Sequence, residues 1–220
     1  MNDPNVSRHH RRSIRIPEYD YTQPGAYFVT ICTWQRQGIL GEIIEAQMRL
    51  SEWGQVAAEC WAAIPMHFAR VVLDEWVIMP NHMHGILIIT DSTSPPDVEA
   101  RQCRAPTTQC RAPTTTPAPP PPAVEQFRHP VPGSIPTIIR SFKSIVTRCI
   151  NSMRGVTTPP IWQRNYYEHI VRNDRALSAI RRYIIANPLR WALDRDNAAR
   201  GLPEASAAED YWHEAKADDA

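Results

Sequence analysis

Val71-Val-Leu-Asp-Glu-Trp-Val-Ile-Met79, then Pro80-Asn81, then His82-Met-His-Gly-Ile-Leu-Ile-Ile-Thr90 is the stretch on which the fold turns. Both runs are rich in β-branched and large apolar residues, and a two-residue turn separates them. They predict two strands, Val71–Met79 and His82–Thr90, joined as a hairpin. Strand side chains alternate between faces, so His82 and His84 point the same way with Cα atoms about 7 Å apart. Two imidazoles so spaced can reach one metal ion. For a bare His-x-His, a polar strand end in water, with two histidines there by chance, is the plainer account.

Working outward, Ala26 to Trp34 (Ala-Tyr-Phe-Val-Thr-Ile-Cys-Thr-Trp) follows Pro24-Gly25 and predicts a first strand. Leu50, Trp53, Val56, Ala57, Cys60 and Ile64 recur at helical spacing, so an amphipathic helix is expected over roughly 47–64. Downstream, Ile135 to Ile150 predicts a helix carrying Arg140, Lys143 and Arg148, and Tyr167 to Val171 a short strand. Asp174 is the expected cap of a last helix that ends near Asn187, before Pro188. The order β-α-β-β-α-β plus a final helix predicts an α+β fold of the ferredoxin-like, split βαβ kind. That is an antiparallel sheet with helices on one face and an extra C-terminal helix. Such a fold hosts many functions and decides none.

Hydrophobic residues make up 43% of the chain, enough for a core. No apolar run approaches the ~18 residues of a membrane span, so none is expected. Met1 to Arg15 carries four arginines with no apolar stretch behind them, unlike a secretory leader. Five cysteines without a CxxC suit a reducing cytoplasm and suggest neither a disulfide framework nor a zinc site. The net charge of +1 hides a strong asymmetry. Arg128 to Arg200 holds 13 Arg/Lys against 4 Asp/Glu, whereas Gly201 to Ala220 holds one Lys against 6 acids. A basic region of this kind suits a polyanion partner.

Ser92 to Pro132 is dominated by Pro and Thr and repeats Gln-Cys-Arg-Ala-Pro-Thr-Thr at Gln102 and Gln109. It cannot bury a core, so it is expected to be a disordered insertion, dispensable for catalysis. The expected organisation is a basic arm over 1–24, one domain built from 25–91 and 133–200, the insertion over 92–132 and an acidic tail over 201–220.

On the last helix, Tyr183 and Asn187 lie four apart and share a face. Asn187 offers a neutral oxygen suited to a hard divalent ion, and Tyr183 offers a phenol. The bland account is a core-edge tyrosine beside a helix C-terminal asparagine. Trp162, Tyr166 and Tyr167 suit either sheet packing or a stacking surface for unpaired bases, and His169 suits a buried, satisfied histidine.

Four segments together are similar to the REP-associated tyrosine transposases, relatives of the single-tyrosine (HUH) transposases of the smallest insertion sequences. They are Gly25-Ala-Tyr-Phe-Val-Thr-Ile-Cys-Thr33, Val77-Ile-Met-Pro-Asn-His-Met-His-Gly85, Ile161-Trp-Gln-Arg-Asn-Tyr-Tyr-Glu-His-Ile-Val-Arg172 and Tyr183-Ile-Ile-Ala-Asn-Pro188. The resemblance implies that His82 and His84 coordinate Mg²⁺ or Mn²⁺ and that Asn187 is the third ligand, where the insertion-sequence branch usually has glutamine. It further implies that Tyr183 is the nucleophile, cutting and rejoining single-stranded or hairpin DNA through a 5′-phosphotyrosine, in a nucleoid-associated protein of the bacterial cytoplasm. Arg8, Arg11, Arg12 and Arg15 would hold hairpin phosphates, and Arg140, Lys143, Arg148, Arg181 and Arg182 are further candidate DNA contacts. Arg181 and Arg182, like the metal, are also candidate activators of the Tyr183 phenol, whose ordinary pKa is about 10. The insertion departs from the family pattern. A non-catalytic ferredoxin-like nucleic-acid-binding module and a metal-dependent phosphodiesterase using water stand as alternatives. Whether the site is completed in one chain or across a dimer is left open.

Overall fold

The computed structural model describes residue 16, residues 19–91 and 131–194, and residue 197. The arm arginines Arg8, Arg11, Arg12 and Arg15, nearly all of the insertion, and the acidic tail lie outside the described residues. The elements run β1 (Gly25–Cys32), a 3-10 turn (Trp34–Arg36), β2 (Gly41–Ile44), β3 (Gln47–Leu50), α1 (Glu52–Ala62) and α2 (Ile64–His67). They continue with β4 (Val71–Met79), β5 (His82–Ile89), α3 (Ile135–Arg154), β6 (Tyr167–Val171), α4 (Asp174–Arg190) and a closing 3-10 turn (Trp191–Leu193). This is an α+β fold. The main sheet has the order β4-β5-β1-β6, and every neighbouring pair in it is antiparallel. Among the described residues no helix is long and apolar enough to cross a membrane.

The sheet buries both faces. On one, Tyr27, Val29 and Ile31 of β1 and Met83 and Leu87 of β5 pack with Trp61 of α1 and Ile138, Phe142 and Val146 of α3. Gly85 makes this close approach possible, because a Cβ there would stand 2.4 Å from Cζ2 of Trp61. On the other face, Phe28, Ile86 and Val171 pack with Ala176, Ile180 and Ile184 of α4. Residues opposite each other on paired strands share a face, so the register assigns His82 and His84 to the α4 side.

Three expectations need correction. The stretch over 47–50 is a strand, not the start of a helix, because Glu45 and Ala46 both take left-handed φ values (50° and 60°) and close a two-residue hairpin from β2 to β3. Ser51 then caps α1, accepting from the amide of Gly54 at 3.1 Å, so the helix opens at Glu52. At the other end of the chain, α4 continues past Asn187 to Arg190, and its cap is Asn173 rather than Asp174, accepting from Ala176 N at 2.8 Å. Pro188 falls in the last turn, where its missing N–H deprives only one carbonyl, that of Ile184, of its helical partner. Tyr21 falls within the expected 1–24 arm. It is buried in the core, and its carbonyl accepts from the amide of Ile135 at the start of α3.

Candidate metal and tyrosine site

β5 opens with His82 and His84, both buried, on the face covered by α4. Their Nε2 atoms stand 3.1 Å apart. The tight turn before β5 fixes the first ring. Nδ1 of His82 lies 2.8 Å from Oδ1 of Asn81, and the orientation of that amide is set by its Nδ2, which donates to the carbonyl of Arg36 at 3.1 Å. Because Oδ1 can only accept, His82 carries its proton on Nδ1 and keeps the Nε2 lone pair. Nδ1 of His84 pairs with Oγ1 of Thr30 at 2.8 Å, directly across β1 in register. A hydroxyl can accept from that nitrogen, which frees the second Nε2 lone pair as well. Partners that hold a ring by its far nitrogen are the usual supports of histidine metal ligands. Burial, then the nearby His82 and Arg36, push the pKa of His84 well below the ordinary histidine value, so its ring is neutral and able to ligate at neutral pH.

α4 lies over this pair. The Tyr183 hydroxyl is 3.2 Å from Nε2 of His84, and its ring meets that of His84 at 5.1 Å and Phe28 at 6.3 Å. Two turns on, the Trp191 ring lies 6.1 Å from that of His82. Tyr183, Asn187 and Trp191 fall at successive steps of four, so Asn187 occupies the turn between a contact to His84 and a contact to His82. Its side chain is buried, and its Oδ1 has no hydrogen-bond partner. An amide oxygen left unpaired in a protein interior costs about 1–3 kcal/mol unless something else meets it.

These donors fit a divalent ion. Two cis ligands about 2.1 Å from an octahedral centre lie about 3.0 Å apart, close to the separation of the two Nε2 atoms. The unpaired Asn187 oxygen is a neutral third donor of the right kind. Among the described residues no group of three or more His, Cys, Asp or Glu could hold a metal. Two imidazoles favour Mn²⁺ over the oxygen-seeking Mg²⁺.

No family model matches the chain. A Haemophilus influenzae protein, described only as uncharacterized, is 38% identical over 191 residues, covering 87% of this chain and 95% of that one. The chain belongs to that protein's family. Among solved structures, a REP-associated tyrosine transposase bound to a REP hairpin matches at 18% identity with a TM-score of 0.46, over 80% of this chain and 73% of that one. A Deinococcus radiodurans protein provisionally named a transposase matches at 14% identity and a TM-score of 0.39, over 78% and 96% of the two chains.

The remaining candidates scatter. Arg181 is spent on Asp74 of β4, its Nε donating to Oδ1 at 2.8 Å while Nη2 reaches Oδ2. A β-bulge at Asp74–Glu75, where two residues oppose Ile86, interrupts the register of β4 with β5 beside this pair. Arg182 is exposed on α4, whereas Arg140 and Arg148 are exposed on α3, across the sheet from the histidines. Lys143 turns inward to hold the approach to β6, its Nζ donating to the carbonyls of Gln163 at 2.5 Å and Arg164 at 3.2 Å. Five site residues escaped the sequence reading: Thr30, Asn81 and Arg36, with the rings of Phe28 and Trp191. Asn81 stood in the quoted turn, but its role depends on side-chain direction. Thr30 needs the β1–β5 register. Arg36 owes its position to left-handed backbone at Gln35 and Arg36 (φ 52° and 53°), which no residue type there advertises.

Proposed function

We propose that the chain is a metal-dependent single-strand DNA transposase or endonuclease that cuts and rejoins DNA near hairpins, with Tyr183 as nucleophile. We read the strand order β4-β5-β1-β6 as the ferredoxin-like, split βαβ sheet of the single-tyrosine HUH enzymes. One observation carries the reading: a phenol within hydrogen-bond distance of a buried histidine pair, one helical turn from an unpaired amide oxygen. A packing role for these groups leaves the buried Asn187 oxygen unexplained.

His82, His84 and Asn187 would hold Mn²⁺ or Mg²⁺, which when bound withdraws charge from the phosphate oxygens. The rest follows from the chain's own groups. The Tyr183 oxygen loses its proton to solvent and bonds to phosphorus. The bond from phosphorus to the 3′ oxygen breaks, and that oxygen takes a proton from water to leave a 3′-OH and a 5′-phosphotyrosine. One phosphodiester replaces another, so the step reverses onto a different 3′-OH without outside energy. Asn81 and Thr30 keep both imidazoles oriented throughout. Phe28 contacts His84 and Tyr183 together (5.4 and 6.3 Å between ring centroids) and limits their relative movement.

The test is covalent capture. The full chain is incubated with Mn²⁺ and a labelled single strand carrying a hairpin, and the modified residue is mapped by mass spectrometry. The expected adduct sits on Tyr183, vanishes on chelation and is absent from Tyr183→Phe, which keeps its fold and DNA binding. An adduct in Tyr183→Phe would assign the chemistry to another residue. Metal-dependent cleavage with no adduct would favour water as the nucleophile.

A further inference from the structure

The aromatic residues ahead of β6 divide between the two sides of the sheet. Trp162 is buried at 6% exposure, 5.8 Å from Phe142, in the core beneath α1 and α3, and Tyr166 packs on that same core. Tyr167 goes the other way. It pairs with Thr30, which on its opposite side pairs with His84, so the three form one row across the site face. The strand spacing sets Tyr167 about 9–10 Å from His84 along this row. Its ring meets Phe28 edge to face at 6.4 Å, and Phe28 also carries Tyr183 and His84.

α4 starts just after β6, at the Val171 end, and slants across the sheet until Arg181 reaches Asp74 on the opposite edge strand. Tyr167 lies at the other end of β6, and both Tyr167 and Thr30 are partly exposed. A strand whose phosphate lies at His84 and Tyr183 therefore has a way out over Thr30 to an aromatic ring. Trp162 and Tyr166 belong to the core on the opposite face, which leaves Tyr167 as the aromatic of this group that shares the site face.

We propose that Tyr167 is a base-stacking residue that seats a nucleobase beside the scissile phosphate, so that single-stranded DNA crosses the sheet from His84 over Thr30 to β6. The assignment rests on the function proposed above and adds the direction of the strand. A π-face stacks any base, so Tyr167 contributes affinity and register rather than sequence choice.

The experiment couples the residue to one nucleotide. Full-length wild type, Tyr167→Phe and Tyr167→Ala are titrated with single strands that carry one abasic position, moved stepwise through the cleavage region. For wild type, one position next to the cleavage point should weaken binding roughly tenfold to a hundredfold. Tyr167→Ala should show that loss on the intact strand and no further loss at that position, while Tyr167→Phe behaves as wild type. Equal abasic penalties in wild type and Tyr167→Ala would overturn the proposal. So would 2-aminopurine at that position remaining unquenched on the wild-type protein, a readout that needs no variant. Adduct formation is scored in parallel, which separates the two ideas. Coupling without an adduct removes the chemistry and keeps the stacking. An adduct without coupling does the reverse.

Discussion

The two faces of the central sheet are made from the same strands, and β5 shows how differently they are used. Met83, Gly85, Leu87 and Ile89 point toward α1 and α3. There the fit is tight enough that a glycine is required under Trp61. His82 and His84 point toward α4, with Ile86 below them in the smaller cluster of Phe28, Val171 and Ile184. The first face is packed mainly with aliphatic and aromatic side chains. The second carries buried imidazoles, a phenol and an unpaired amide oxygen in a few turns of chain. Period-two alternation lets one strand stabilise the fold and shape the site with separate residues, so substitutions on the two faces should fail in different ways.

The largest effect should come from the histidines. His82→Ala or His84→Ala removes one of two convergent nitrogen donors, and Mn²⁺-dependent adduct formation should fall at least a hundredfold while the fold survives. Thermal denaturation gives a second readout. At 100 times its Kd, bound Mn²⁺ should stabilise the wild type by about 2.7 kcal/mol and neither variant measurably. Cleavage at the wild-type rate in either variant would refute the metal assignment.

Gly85→Ala makes the opposite kind of damage, although it sits beside His84. Its methyl group points at Trp61 on the far face, at a separation real side chains do not tolerate. The expected cost is about 1–3 kcal/mol of stability, read by urea denaturation, with the Kd for Mn²⁺ unchanged in the folded protein. Loss of metal affinity without loss of stability would mean that the faces are not separable.

Asn81→Ala probes the support of the site. Without Oδ1, His82 loses the partner that fixes its proton on Nδ1. Metal affinity should drop about 10- to 100-fold, as is usual when an outer partner of a ligand is removed. An unchanged titration by calorimetry would show that the ring is held by packing alone.

The face that carries the core was the more legible one. Alternation and turn residues gave β4 and β6 their observed bounds, and the Pro80-Asn81 turn located β5 and with it the histidine pair. Helical spacing misread Gln47–Leu50 because Leu50 continues the apolar period of α1, while the cause of the hairpin, left-handed backbone at Glu45 and Ala46, is invisible in residues that seldom adopt it. The site depends on register and side-chain direction, so only its members on regular elements could be read: two histidines on a strand, a tyrosine and an asparagine on a helix. Thr30 meets His84 across the β1–β5 pairing, and Asn81 meets His82 and the Arg36 carbonyl from the turn before β5. Lys143, one cation among many in the sequence, is claimed by backbone carbonyls.

The same question of direction separates Arg181 from Arg182, neighbours in sequence and both candidates for DNA contact. Arg181 forms a two-point pair with Asp74 and ties α4 to the edge strand. Its guanidinium side chain is 41% exposed, so the pair should contribute no more than about 1 kcal/mol. The Arg181 hydrogen bond holds the Asp74 carboxyl below its ordinary pKa. A depressed carboxylate stabilises the fold above its unfolded-state pKa and loses that contribution as pH falls through the folded value. Arg181→Gln should therefore be slightly less stable than wild type at pH 7, with the gap closing in strongly acid solution, below the ordinary aspartate range. Its dependence of DNA affinity on salt should match wild type. Arg182 is exposed on the same helix, and if it meets a phosphate, Arg182→Gln should lower the slope of log K against log salt by about 1 and leave stability unchanged. A reduced slope in Arg181→Gln would show that DNA displaces Asp74 from the guanidinium, and the edge of α4 would then belong to the binding surface.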